Sequence, residues 1–173
     1  MALDRSFRRD VREASADLGD DSRLVETLVW GVVGGVIATV AMTLYRLPLT
    51  RALPPAAPLW AKYAGREGQG PEEYSLLALH LHLLYGASAG AAFALAHERL
   101  PPSRSTAPET RATLLGLCYG LALSVVGKRV VLDGLLDEDL DAGETTVFHV
   151  GHAIYGLTLG SWIGSREGET GPR

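Results

Sequence analysis

This sequence predicts an all-α membrane protein with four transmembrane helices, arranged as two parallel-related helical hairpin repeats. Three observations carry that expectation. Four apolar runs, at residues 27–45, 74–96, 112–132 and 145–164, each have membrane-spanning length. Formal charge is almost confined to the stretches between and outside them, and one pattern recurs in the second and fourth runs. A hydrocarbon core takes roughly 20 helical residues to cross. Helix is the conformation such runs must adopt, because an unpaired backbone amide in lipid costs several kcal/mol.

Residues 1–26 form a polar tail in which Phe7, Val11, Ala14 and Leu18 recur at helical spacing beside Arg8, Arg9 and Arg12. That pattern suits a short interfacial helix as well as it suits a solvated tail. The first run, Thr27 to Tyr45, has no charged residue, and no small-residue cleavage site follows it, so it reads as an anchor and not as a signal peptide. A Pro-rich stretch from Leu47 to Gly70 follows, with Trp60 and Tyr63 suited to the headgroup level. In the second run only His80 and His82 interrupt the apolar sequence. The third is apolar until Lys128 and Arg129, whose long stems can reach an interface. An acidic loop from Asp133 to Glu144 precedes the fourth run, which carries Trp162 near its end, and residues 165–173 make a short polar tail.

The 173 residues suffice for a single domain. Sixteen basic residues against twenty acidic ones give a net charge of -4, which lacks the basic excess needed to neutralise phosphates, so nucleic acid is excluded as a partner. The preference for arginine over lysine fits a halophile or a GC-rich genome. Cys118 is the single cysteine, which excludes an intrachain disulfide and a CxxC metal site and leaves it a small packing residue. The Gly31 to Ala38 segment GVVGGVIA resembles a nucleotide-binding turn only superficially, since no βαβ alternation surrounds it. Basic residues set the orientation. Arg5, Arg8, Arg9, Arg12, Arg23, Arg99, Arg104, Arg111, Arg166 and Arg173 fall on one side, against Arg46, Arg51, Lys62, Arg66, Lys128 and Arg129 on the other. The first side is therefore expected to be cytoplasmic, with both termini there.

An internal repeat links the halves. His82, Tyr85, Gly86, Ser88 and Gly90 match His152, Tyr155, Gly156, Thr158 and Gly160, while Gly31, Gly35 and Thr39 match Gly116, Gly120 and Ser124. A hairpin crosses the membrane twice, so its copy starts on the same side, and the halves are expected to be related by a two-fold axis along the membrane normal. Small residues four apart let helices approach closely where lipid removes the hydrophobic drive. Gly31, Gly35, Gly86, Gly90, Gly116, Gly120, Gly156 and Gly160 are accordingly expected at helix–helix contacts. In these paired hairpins the chain resembles small, uncharacterised four-helix prokaryotic membrane proteins, haloarchaeal ones included, that carry a Gly-x3-Gly stripe, an Ala-Thr pair like Ala38-Thr39 and a His-Tyr-Gly element like His82 to Gly86. The resemblance implies the fold and transfers no activity.

Counted from the loops, His80, His82, His149 and His152 fall at a similar depth, and Lys128 is expected near them. Ionisable groups there are expected to face the bundle interior. His149 and His152 share a face with Tyr155, while His80 and His82 point to nearly opposite sides, and the repeat selects His82. Three uses compete. The first is interhelical hydrogen bonding with Tyr85 and Tyr155 beside the imidazoles. The second is ligation, with His82 and His152 as paired axial ligands of haem b, or His82, His149 and His152 around a transition metal such as zinc or copper. The third is proton or small-ion transfer by the same imidazoles. No nucleophile–base pair and no HExxH element occurs, so the chain leans away from catalysis and no catalytic residue is assigned. The sequence-based expectation is a multi-pass structural or interaction scaffold in the cell membrane. Its partners are the lipid bilayer and a second copy or another membrane protein, and redox-cofactor, metal or proton handling is the alternative.

Overall fold

The computed structural model describes residues 2–50, 54–101, 103 and 105–169, with side chains from residue 21 to residue 166. Five α-helices follow in order: α1 (Ala2–Arg46), α2 (Ala56–Tyr63), α3 (Ser75–Glu98), α4 (Pro108–Val126) and α5 (Ala142–Glu169). A 3₁₀ turn, Pro71–Tyr74, leads into α3, and a π-helical segment, Gly127–Leu136, continues α4. No strand occurs among the described residues.

Local chemistry explains these boundaries. Pro108 sits in the first turn of α4, where its missing N–H costs nothing, and Glu109 beside it complements the helix dipole. Asp141 caps α5 reciprocally: Glu144 N donates to Asp141 Oδ1 at 2.8 Å and Asp141 N donates to Glu144 Oε2 at 3.3 Å. In the π-helical segment Lys128 pairs with Asp133 at 2.8 Å, a spacing of five that the wider π turn brings into line. Asp137, at φ 56°, turns the chain into the left-handed region and ends the segment.

The structure corrects the sequence-based expectation in four places. Residues 2–46 are one continuous helix, not a tail helix followed by a span, and its membrane-capable part is Asp21–Arg46. The amphipathic pattern of Phe7, Val11, Ala14 and Leu18 lies outside the residues whose side chains are described. The stretch from Leu47 to Gly70 holds a helix, α2, with Ala57 fully buried. The expected third span, 112–132, is α-helical only to Val126, so the membrane-capable segment is Pro108–Leu136. Finally, among the described residues three helices, not four, are long and apolar enough to cross a membrane: those at Asp21–Arg46, Pro71–Glu98 and Pro108–Leu136. α5 has the length, but His149, His152, Tyr155 and its glycines dilute its apolar content. An all-helical chain with three such segments has the make-up of a membrane protein.

Two antiparallel pairs build the bundle. α1 lies along α3 and α4 along α5, and the pairs meet chiefly where α1 runs against α5. Within each pair the backbones almost touch. A Cβ on Gly31 would stand 2.7 Å from Ala91 Cα and 2.8 Å from Gly90 O, and one on Gly35 would strike Gly86 O. In the second pair a Cβ on Gly116 would strike Gly156 O and stand 2.7 Å from Gly160 Cα, while one on Gly120 would strike His152 O. The seams are not in the same register. Gly90 rests on Gly31 O, whereas its repeat counterpart Gly160 rests on Ala112 O, one helical turn before Gly116. Between the pairs, Ala38 and Met42 of α1, Ala89 and Phe93 of α3, and Tyr155, Leu159 and Ile163 of α5 share one core.

Because backbone faces Gly156, and the buried Thr39 side chain, held by its hydroxyl to Gly35 O, faces Gly86, overpacking should be costly at both. Gly86→Leu and Gly156→Leu should each lower the melting temperature in detergent, corresponding to about 1–3 kcal/mol or more. Leu84→Ala, on a face 63 % exposed, should shift it little. Equal shifts from all three would show that the glycine stripe faces lipid.

Candidate functional site

His82, His149 and His152 lie in the region where the C-terminal end of α1 meets the N-terminal halves of α3 and α5. His152 is buried at 9 % exposure, His149 and His82 are half-buried, and His80 is exposed. His80 Nδ1 donates to Leu76 O of its own helix at 2.7 Å. His152 Nδ1 donates to Phe148 O at 2.9 Å, four residues back, and its ring stacks on Phe148 at 4.5 Å between centroids. His149 Nδ1 lies 2.8 Å from Ser124 Oγ, and that hydroxyl donates its own hydrogen to Leu121 O at 2.7 Å. A hydroxyl has one hydrogen, so His149 Nδ1 is the donor to Ser124. Both imidazoles therefore carry the proton on Nδ1 and present Nε2 as an acceptor when neutral.

Arg46 joins them. Its stem lies over Gly151, where an added Cβ would stand 3.4 Å from both Arg46 Cδ and Met42 Cγ. Arg46 is within electrostatic reach of His82 and His152, and those two are within reach of each other. His149 is within reach of His152. Lys128, expected in this layer, is committed to Asp133. Among the described residues, no three His, Cys, Asp or Glu side chains converge to hold a metal ion. A fixed guanidinium beside the imidazoles also opposes the arrival of a further cation.

The two tyrosines of the repeat take different roles. Tyr155, 4 % exposed, donates from α5 to Gly86 O of α3 at 2.7 Å, a hydrogen bond between the two hairpins. Tyr85, its counterpart, is 54 % exposed. Tyr119 of α4 adds a second cross-link, donating to Ala89 O at 2.9 Å. At the other end of the bundle Trp162 Nε1 donates to Trp30 O at 3.2 Å, and Gly34 leaves the room its ring needs. The Arg166 guanidinium stacks over Trp30 and Trp162 at 4.0 and 4.8 Å from their ring centroids.

Sequence reasoning missed Arg46, which it assigned to a loop flank. A signal was present, since Ala38, Met42 and Arg46 are four apart and the buried stripe of α1 runs straight into the arginine. Tyr119 and the Trp30–Trp162–Arg166 stack had no counterpart in the repeat to draw attention to them. No family model, no curated protein and no solved structure matches this chain. The site stands on its own geometry.

The split between the tyrosines is testable. Tyr155→Phe should destabilise the bundle by roughly 0.6–2 kcal/mol in a detergent melt, whereas Tyr85→Phe should leave it unchanged. Equal effects would mean that the duplication operates symmetrically and that Tyr155 does not tie the hairpins together.

Proposed function

We propose that this chain is a membrane structural or interaction scaffold that crosses the bilayer four times, with both termini in the cytoplasm. The observation that carries the reading is that the paired glycines, Tyr155 and His149 join one helix to another. The eight glycines fill the two seams, Tyr155 bonds Gly86 between hairpins, and the Nδ1 atoms of His149 and His152 are taken up within the bundle. Four crossings are supported by α5, which lies along α4 through backbone contacts and along α1 as well. A helix packed this way against two membrane-capable neighbours shares their span, and its less apolar residues are largely those turned inward. Its Trp162 and Arg166 then stand at the interface expected to be cytoplasmic.

The haem, metal and proton alternatives depend on the same imidazoles. They keep the two Nε2 acceptors of His149 and His152 as their support, against the nearby cation of Arg46 and the lack of a three-ligand cluster among the described residues.

Reporter fusions test the topology. Those after Arg66 and Asp139 should read external and those after Arg104 and Arg173 cytoplasmic, and opposite compartments for the first two would defeat the four-crossing reading. An absorption spectrum and elemental analysis of protein expressed with haem and metals available test the scaffold role. A colourless, metal-free protein is expected. A haem or metal signal lost in His82→Gln and His152→Gln but kept in His80→Gln would replace the scaffold by a cofactor protein.

A further inference from the structure

The geometry points to a phosphate-binding site built on Arg46, which we infer is filled by the headgroup phosphate of a phospholipid. The guanidinium of Arg46 is drawn inward by its stem, which packs on Gly151 and Met42. Its Nε is buried, and among the described residues it has neither a hydrogen-bond acceptor nor a carboxylate in contact. A guanidinium cannot be neutralised, so burying its Nε–H without an acceptor is costly. Its neighbours cannot supply the missing charge. Among the described residues, His82 and His152 feel its charge, and an imidazole is neutral or positive. The partner that Arg46 lacks is an anion.

Phosphate matches this donor set. Its tetrahedral oxygens accept two parallel bonds from an arginine fork. The surroundings favour a lipid as the source. Leu44, Leu47 and Leu49, next to Arg46 in sequence, are 62, 65 and 55 % exposed, an apolar flank suited to acyl chains beside a bound headgroup. The position at the end of a membrane-capable helix is also where phosphates lie.

Native mass spectrometry and phosphorus assay of protein purified in dodecyl maltoside read the occupant. Wild-type protein should retain about one phospholipid per chain, and Arg46→Gln should weaken retention at least tenfold. Arg46→Met keeps the stem over Gly151 without the charge and should do the same while remaining folded. Bound lipid should also slow phenylglyoxal labelling of Arg46 in the wild-type chain, a readout that needs no substitution. Delipidated wild type titrated with inorganic phosphate separates the sources. Protection of Arg46 by inorganic phosphate without any retained lipid would keep the site and assign it to free phosphate. Absence of both, or retention undiminished in folded Arg46→Met, would overturn the proposal. The phosphate titration in detergent does not require four crossings, so this site and the scaffold topology fail separately.

Discussion

Helices immersed in lipid gain little by burying apolar side chains against one another, because lipid tails are equally apolar. What remains is van der Waals contact between backbones, and that requires removing the side chains that would hold them apart. Here the requirement is met twice, by Gly31, Gly35, Gly86 and Gly90 in one pair and by Gly116, Gly120, Gly156 and Gly160 in the other. The close approach exposes main-chain carbonyls to a partner helix. Gly86 O and Ala89 O each accept a tyrosine hydroxyl from the opposite hairpin as well as their own helical bond, which two lone pairs permit. The join between the hairpins thus depends on the seam within one of them.

Polar side chains in such an interior are tolerated where each finds a partner nearby. Thr39 and Thr43 return their hydroxyls to carbonyls four residues back at 2.7 Å, and Ser124 serves both Leu121 and His149. Cations sit at both ends of the α1–α5 contact, and they are handled differently. Arg166 lies over two indole faces, while the charge of Arg46 reaches imidazoles that cannot neutralise it. One end is a stapled interface, and the other is a site with charge to offer.

Both hairpins carry small residues at matching positions, yet their seams differ by a helical turn in register. Tyr155 lies inward while Tyr85 stays outside, since α5 runs along α1 of the other hairpin whereas α3 and α4 barely touch, and α5 also carries His149 where the matching position of α3 holds Leu79. Ser124 is fully buried, as is Thr39, its counterpart, but only Ser124 meets an imidazole. The polar layer is therefore asymmetric between the two hairpins.

The sequence by itself determined the all-helical class, the approximate position of each long helix and the residues at which backbones could meet. Length of apolar run and absence of a side chain are local properties, legible at the residue that carries them. Other features were decided only in three dimensions. Periodicity does not announce a change from α to π winding, so the segment from Gly127 was invisible until Lys128 and Asp133 were seen paired. The helix inside the Pro-rich stretch depends on Ala57 being buried beneath it, a contact no local pattern encodes. The site shows the same division. Histidines at matching depth were legible because depth follows from counting residues along a helix, but rotation and register between helices set which ring meets which group. Those are properties of a pair of helices, and so the meeting of Arg46 with His82 and His152 across three helices belonged to the tertiary structure alone.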